Sequence, residues 1–218
     1  MAKSLELYGF WRSIASFRVR VALRLKGLEF QEISVDLLAG AQFAAEYREI
    51  NPQEVVPTLV DGDAVLFQSM AIIEYLDEVY AQPPLLPKAP LERAHARALA
   101  LIAVADSHPL IVPRVRRRLS ADFGCDEAAA HHWAADWTAR GLETYETLLG
   151  RRPPAPYALG ERVGLADICI ASQTVAAGFF GVELAPFPLI AGLTDQCFAL
   201  PAFADSHPLR QTGAPASA

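Results

Sequence analysis

A serine at the start of a predicted helix is the first residue whose position suggests chemistry. Ser13 follows a short strand-like run, Leu5 to Phe10, and precedes a basic amphipathic stretch that begins at Ser16. No His or Asp stands at a nearby spacing that would make Ser13 a nucleophile. Two alternatives stay open, an N-cap that accepts a backbone N–H and a hydroxyl that donates to a ligand at the amino end of the helix.

Short apolar runs in the first eighty residues predict the elements that must position this serine. Their alternation and clustering favour the order β-α-β-α-β-β-α, with Gly27 ending the first helix and Asp61-Gly62 forming a hairpin turn. The predicted strands lie in 5–10, in 29–37 and in the two arms of 56–68, and the predicted helices lie in 16–27, 41–51 and 69–80.

A proline-rich segment separates this half from the rest of the chain. Residues 81–90 carry four prolines, which remove backbone donors and disfavour helix. Beyond them alanine, leucine and arginine recur with helical periodicity. We therefore predict an α/β domain at 1–80, a linker at 81–90 and an all-helical domain at 91–218. By analogy of fold, this is a thioredoxin-like domain followed by a helical bundle.

Charge and cysteine content restrict the class of protein. A net charge of −6 argues against a dedicated nucleic-acid binder, which must neutralise phosphates. Cys125, Cys169 and Cys197 lack the spacing of a zinc site, so we predict no metal and free thiols in a reducing compartment. No secretory signal or bilayer-length apolar run is recognisable. We expect a cytoplasmic protein that engages neither nucleic acid nor membrane.

Four segments distinguish this chain from other thioredoxin-like proteins: FRVRVALRLKG (17–27), NPQEVVPTLVDGDAVLFQSMAIIEYLDE (51–78), LLPKAPLERAHAR (85–97) and PAFADSHPLRQ (201–211). Thioredoxin-like redox proteins carry a cysteine pair after the first strand, but residues 13–16 read Ser-Ile-Ala-Ser and contain no sulfur. Together the four segments resemble the zeta-class glutathione S-transferases, which include maleylacetoacetate and maleylpyruvate isomerases. The resemblance covers nearly the whole chain and implies a glutathione-transferase fold, glutathione as cosubstrate and a homodimer.

The resemblance implies a role for each residue of a glutathione site. Ser13 matches the family serine that faces the glutathione sulfur, although Ile14 and Ala15 replace its usual polar neighbours. The Val56-Pro57 bond is expected to be cis and to offer the backbone of Val56 to the tripeptide. The remaining residues are Gln68 and Ser69, implied to hold the γ-glutamyl carboxylate, and Gln42, implied to lie near the glycyl end.

Each of these residues also has a plainer interpretation. Val56-Pro57 could be an ordinary strand-edge proline. Ser69 could be only a helix cap, and Gln42 could be an exposed helical residue. The resemblance favours the binding roles.

Basic residues and one aromatic residue are expected around the second substrate. Arg12 could attract an acidic substrate or be a solvated charge, while His108 and Arg114 are weaker candidates for the pocket. Arg18 and Arg20 are interpreted as surface or interface residues, and the run 116–118 as a solvated face.

Phe179 is the departure from the family that matters most. It stands where the resemblance expects an Arg that helps to hold a dicarboxylic maleyl substrate, and a phenyl ring cannot replace a bidentate guanidinium. The pocket is therefore expected to be more apolar. A second departure concerns folding, because Gly164 replaces the hydroxyl residue that usually forms a capping box with Asp167.

Two functions follow as hypotheses. The first is a glutathione-dependent enzyme whose thiolate adds to an activated double bond, with cis–trans isomerisation of a maleyl-type acid, or conjugation or dehalogenation of a small electrophile, as the outcome. The alternative is a catalytically weak protein of the same fold that binds apolar ligands or a protein partner, which Phe179 and the Ser-Ile-Ala turn favour slightly.

Overall fold

The computed structural model describes residues 5–215 and divides into two compact units. The first comprises the chain up to Pro84 together with the segment from Leu200, and the second is Leu85–Ala199. Residues 1–4 and 216–218 of the predicted domains lie outside the described residues. The sequence placed all of 91–218 in the helical domain, whereas the segment from Leu200 packs with the first unit.

The first unit has the predicted order β-α-β-α-β-β-α. Its strands are β1 (Leu5–Gly9), β2 (Phe30–Ser34), β3 (Thr58–Asp61) and β4 (Ala64–Phe67), and its helices are α1 (Ile14–Leu25), α2 (Ala45–Ile50) and α3 (Ser69–Val79). Gly27 and Gly62 adopt φ of 64° and 61°, the left-handed backbone that glycine reaches without a steric penalty. These two glycines end the first helix and turn the hairpin as predicted.

The sheet has the strand order β2-β1-β3-β4. β1 runs parallel to β2 and antiparallel to β3, and β3 is antiparallel to β4. The carboxyl ends of β1, β2 and β4 and the amino end of β3 therefore meet at one edge of the sheet. Loops that leave this edge are brought together whatever their separation in sequence.

Helix α1 is buried along most of its length, and the prediction that Arg18 and Arg20 lie at the surface is wrong. Their exposed fractions are 1% and 0%. Arg20 is neutralised by both carboxylate oxygens of Glu32 and also donates to the Phe10 carbonyl at 2.9 Å. Buried charges are tolerated where they are paired and hydrogen-bonded.

The returning C-terminal segment covers one side of α1. The rings of Phe17 and Phe203 lie 6.5 Å apart, edge to face, and both residues are fully buried. Arg24 donates to Ser206 Oγ at 2.9 Å. This segment contains α10 (Pro201–Ala204) and a 3₁₀ turn, Pro208–Arg210.

One predicted helix, 41–51, is divided in the structure. A 3₁₀ turn, Ala41–Phe43, precedes α2, and Ala44 between them is extended. Gln42 and Tyr47 are both buried, although residues five apart in one continuous helix would point about 140° away from each other. The break allows both to face inward.

The second unit is helical, as predicted. A hydroxyl interrupts one of its helices, because Tyr145 Oη accepts from Ala103 N–H at 3.0 Å and donates to the Leu99 carbonyl at 2.7 Å. These two backbone groups would otherwise bond to each other, and a π-helical stretch, Ile102–Ser107, follows. The helices are α4 (Pro90–Leu101), α5 (His108–Ile111), α6 (Pro113–Phe123), α7 (Glu127–Leu149), α8 (Leu165–Phe180) and α9 (Pro188–Phe198).

Helix α8 is the centre of the second unit, and Gly164 is its N-cap. A Cβ at this position would lie 2.6 Å from the Leu85 carbonyl oxygen. The Asp167 carboxylate accepts from Gly164 N–H and Ala158 N–H, each at 2.8 Å. The acidic half of the capping box is therefore present without the hydroxyl half.

None of the described helices is by itself long and apolar enough to cross a bilayer. Two helical segments that meet at a bend, Pro90–Ile111 and Pro113–Phe123, are together long and apolar enough by length and composition only.

Candidate functional site

Four loops at one edge of the sheet carry all six residues predicted to contact glutathione. Ser13 follows β1, Gln42 follows β2, Val56-Pro57 precedes β3, and Gln68-Ser69 follows β4. A buried apolar cluster of Phe10, Val35, Tyr47 and Val56 joins the first three of these loops, with Trp11 and Ala41 packed against it. The topology thus brings together residues that are up to 56 positions apart.

Ser13 is the N-cap of α1. Its Oγ accepts from Ser16 N–H at 3.1 Å, and its backbone is extended. Because the bond to Ser16 uses a lone pair, the hydroxyl hydrogen can still be donated. The cap and the ligand donor, which the sequence left as alternatives, are compatible in this geometry.

The Val56-Pro57 peptide bond is cis, as the resemblance implied. Neither backbone group of Val56 makes a backbone hydrogen bond within residues 5–215. Tyr47 and Asn51 hold the preceding carbonyl of Val55 at 2.6 and 2.9 Å, and both also contact Thr58 Oγ1 at 3.0 Å. This buried network fixes the loop in front of β3.

Sequence reasoning missed Tyr47 and Asn51. Asn51, the last residue of the helix predicted at 41–51, is fully buried. Burial raises the pKa of Tyr47, while its hydrogen bonds to Thr58 and Asn51 act in the opposite direction. A phenol held as a neutral donor suits the Val55 carbonyl that it contacts.

Gln42 is buried, with 5% of its surface exposed, so its interpretation as an exposed helical residue is wrong. Its Oε1 is buried and has no hydrogen-bond partner among the described residues. Buried polar atoms are nearly always satisfied. An unpaired amide oxygen at this edge is therefore available to a donor group of a ligand.

The amino end of α3 is open to an anion. The first helical bond is Ile72 N–H to the Gln68 carbonyl, and within residues 5–215 the N-cap side chain, Gln68, makes no capping bond to the N–H groups that precede it. Gln68 has φ of 70°, rare for a residue other than glycine, and its amide donates to Gln53 Oε1 at 2.8 Å. Ser69 is 4% exposed, and Arg18 Nε donates to its Oγ at 3.1 Å.

The predicted pocket residues are divided between the two units. Arg12 is exposed and lies beside Ser13 in the first unit. In the second unit, half-buried His108 is the first residue of α5, directly after the π-helical stretch, and Arg114 is exposed in the first turn of α6. Phe179 is half-buried at the end of α8.

Arg116, predicted to be part of a solvated face, packs beside the end of α8 instead. Its guanidinium lies 5.4 Å from the centre of the Phe180 ring, and His131 contacts the same ring edge to face. An open groove of roughly 730 Å³ lies between α6 and α7, and its lining includes Arg116, Arg117, Glu127 and His131. The groove is not lined by His108, Arg114 or Phe179.

Comparisons with known proteins agree with this architecture. The family model of the glutathione S-transferase N-terminal domain matches residues 3–78. Maleylacetoacetate isomerase of Pseudomonas aeruginosa is 41% identical over 98% of this chain and 100% of its own length.

Solved structures are equally similar. Maleylacetoacetate isomerase of Methylobacterium extorquens AM1, with bound malonate and glutathione, has a TM-score of 0.94 and 43% identity over 97% of this chain and 100% of its own. A bacterial maleylpyruvate isomerase, described as a zeta-class glutathione S-transferase, has a TM-score of 0.93 and 40% identity, with 96% and 99% of the two chains covered.

The chain belongs to the zeta-class glutathione S-transferases. The predicted family, fold class and enzyme class are thereby confirmed. The four loops at the sheet edge lie in the N-terminal domain of this zeta-class enzyme, and His108, Arg114 and Phe179 lie in its helical unit.

Proposed function

We propose that this zeta-class enzyme binds glutathione at the sheet edge and adds its thiolate to an activated double bond. After the addition, the former double bond of a maleyl-type acid is a single bond. If it rotates and the thiolate leaves, the acid is isomerised. Conjugation or dehalogenation of a small electrophile is the other outcome. The convergence of Ser13, Gln42, Val56 and Ser69 at one edge carries this proposal. Glutathione bound to relatives supports it.

The described residues fit each part of the tripeptide. The uncapped N–H groups of α3 and the Ser69 hydroxyl suit the γ-glutamyl carboxylate. The unpaired backbone groups of Val56 suit the central peptide, and the unpaired Oε1 of Gln42 suits a donor near the glycyl end. These assignments make Gln42, Val56, Pro57, Gln68 and Ser69 the proposed glutathione site.

Glutathione, when bound, supplies the thiol whose ionised form is the nucleophile. Ser13 donates its single hydroxyl hydrogen to the thiolate, because the bond from Ser16 N–H uses only a lone pair of the Ser13 oxygen. Lowering a thiol pKa by about two units requires about 2.7 kcal/mol. One hydrogen bond to a charged acceptor contributes about 1.5–3 kcal/mol, and the amino end of α1 contributes about 0.3–1 kcal/mol. These contributions suffice without a further base.

Arg12, His108, Arg114 and Phe179 are the proposed residues of the second-substrate pocket. Exposed Arg12, next to Ser13 in sequence, can attract a carboxylate to the region of the thiolate. Phe179 supplies no charge, so the pocket of this enzyme is proposed to favour monocarboxylic or apolar electrophiles over dicarboxylic ones.

Calorimetry and turnover assays test the proposal. We expect glutathione to bind, and we expect Ser69→Ala to weaken binding by about 1–2 kcal/mol. Turnover of maleylacetoacetate, a chlorinated acid and an aryl halide should each require glutathione. An absence of glutathione binding at millimolar concentration would overturn the proposal.

A second candidate is a weakly catalytic protein that binds apolar ligands or a protein partner. Ile14 and Ala15, where the family has polar residues, are buried and leave Ser13 without the two polar neighbours that are usual in the family. Glutathione binding without turnover of any of the three electrophiles would favour this candidate.

We further propose that the protein is a cytoplasmic homodimer. Free Cys125, Cys169 and Cys197 support a reducing compartment. Edge strand β4 and helix α3 expose Val65, Phe67 and Val79 by 44%, 48% and 53%, which supports an apolar contact with a second copy.

A further inference from the structure

We propose that Arg18 is a positioning residue for the carboxylate site at the amino end of α3. By donating to Ser69 Oγ, Arg18 fixes the direction of the serine hydroxyl and places a buried positive charge beside the bound anion. This inference rests on the proposed binding of glutathione and adds to it a residue that has no contact with the tripeptide in our assignment.

The contact between Arg18 and Ser69 is buried and joins two helices. Nε of Arg18, in α1, lies 3.1 Å from Oγ of Ser69, the first residue of α3. The exposed fractions of the two residues are 1% and 4%. A hydrogen bond shielded from water holds its partners in one geometry more firmly than an exposed one.

The direction of this hydrogen bond decides what the serine can do. The Arg18 guanidinium has donors only, so the Ser69 oxygen must be the acceptor. Its single hydroxyl hydrogen then points away from Arg18 and can be donated to an anion. Without Arg18 the hydroxyl could rotate and bond elsewhere, and part of its orientation would have to be fixed when the ligand binds.

Charge acts in the same direction. A guanidinium stays protonated under all ordinary conditions. The amino end of an 11-residue helix such as α3 already carries about half a positive charge. Both favour a carboxylate at this end, and burial weakens the screening that water would provide.

Arg20 shows that not every buried arginine of α1 has this role. Residues two apart on a helix point about 160° away from each other. Arg20 therefore reaches the sheet, where Glu32 neutralises it, whereas Arg18 reaches the end of α3. The two arginines, separated only by Val19, therefore contact different elements, the sheet and the amino end of α3.

Two variants of Arg18 and one matched control test the proposal by calorimetric titration with glutathione. Arg18→Met removes the donor and the charge, and Arg18→Gln keeps an amide donor without the charge. We expect Arg18→Met to raise the Kd for glutathione about tenfold, with kcat at saturating glutathione changed less than twofold. Arg18→Gln should lie between Arg18→Met and the wild type.

The control is Arg24→Met, which removes another arginine–serine hydrogen bond of the same helix, the one to Ser206. It should lower Tm without changing the Kd. A rise in Kd equal to that of Arg18→Met would overturn the proposal, because loss of α1 packing would then explain both.

A double-mutant cycle separates positioning from general damage. Arg18→Met combined with Ser69→Ala should raise the Kd by less than the product of the two single increases, because the oriented hydroxyl can be lost only once, whereas Arg18→Met combined with Gln42→Ala should show multiplied losses. If Arg18→Met does not fold, Arg18→Gln takes its place in both cycles.

Multiplied losses with Ser69→Ala would overturn the role of Arg18 while leaving glutathione binding intact. A wild type that does not bind glutathione would overturn the proposed function itself.

Discussion

At the scale of single residues, Ser13 combines two tasks in one hydroxyl. Its oxygen caps α1 through Ser16 N–H, and its hydrogen is proposed to stabilise a thiolate. An alanine variant therefore loses both, and the two losses have to be measured separately.

We expect Ser13→Ala to raise the pKa of the bound glutathione thiol and to lower turnover while leaving affinity mostly intact. Thiolate absorbance followed against pH measures the pKa. Loss of the cap should also lower stability by about 0.5–2 kcal/mol. Asp126→Ala, which removes a comparable cap on Ala129 N–H, is the control for stability and should leave the thiol pKa unchanged. An unchanged pKa in Ser13→Ala would mean that Ser13 is only a cap.

Phe179 sets the second expectation at this scale. Phe179→Arg should increase kcat/KM for a dicarboxylic maleyl substrate about ten- to a hundredfold, because one charge-assisted contact contributes about 1.5–3 kcal/mol. No gain is expected on an uncharged aryl halide. Steady-state kinetics of the wild type and Phe179→Arg on both substrates measures the change in kcat/KM. A wild type that already turns over maleylacetoacetate as its best substrate would contradict the importance given to Phe179.

Periodicity predicted most of the secondary-structure elements, because each depends on its own residues. Strand alternation, Gly27 and the hairpin at Gly62 are local features, and the structure contains all of them. The division of 41–51 was missed, since the burial of both Gln42 and Tyr47 depends on partners elsewhere in the chain.

Buried arginines escaped prediction for a similar reason. The burial of Arg20 depends on Glu32, which lies in a strand 12 residues away. The local sequence pattern of α1 does not indicate this partner. The loops of the candidate site could be located through the family resemblance, but the hydrogen bond that orients Ser69 could not.

Tyr145 shows how one side chain alters an element. Tyr145→Phe removes the hydroxyl between Ala103 N–H and the Leu99 carbonyl. We expect a loss of about 1–3 kcal/mol in the free energy of unfolding and faster hydrogen exchange at the Ala103 amide. Thr138→Val is the control, because the Thr138 hydroxyl only adds a bond to a carbonyl four residues earlier in its own helix. Unchanged exchange at Ala103 would show that the hydroxyl does not hold the π-helical stretch.

Asp167, at the start of α8, makes stability depend on pH. Burial raises its pKa to about 6 from the ordinary 3.8, although hydrogen bonds from Ala158 and Gly164 lower it. The folded protein therefore binds the proton more tightly than the unfolded chain. This contribution is fully present below about pH 4 and is lost as the pH rises through 6.

Denaturant unfolding of the wild type and Asp167→Asn at pH 4 and pH 7 measures this effect. The free energy of unfolding of the wild type, relative to that of Asp167→Asn, should fall by up to about 3 kcal/mol from pH 4 to pH 7. A difference that stays constant would contradict the raised pKa.

At the scale of the whole molecule, the proposed dimer depends on the apolar surface of β4 and α3. Val65→Glu should shift the protein from twice the 23.7-kDa chain mass to the monomer, as a charge in an apolar contact is left without a partner. Analytical ultracentrifugation measures the mass. Leu38→Glu, at a residue that is 75% exposed outside β4 and α3, should leave the mass unchanged. A monomeric wild type would contradict the proposal.

The first unit is assembled from the two ends of the described chain, and this has a consequence for biosynthesis. A ribosome completes residues 5–84 long before it reaches Phe203 and Ser206, the partners of Phe17 and Arg24. During translation of the 115 residues of Leu85–Ala199, Phe17 lacks its buried neighbour Phe203, and apolar surface exposed in this way promotes aggregation. The nascent thioredoxin-like unit can reach its final packing only after the helical unit has left the exit tunnel.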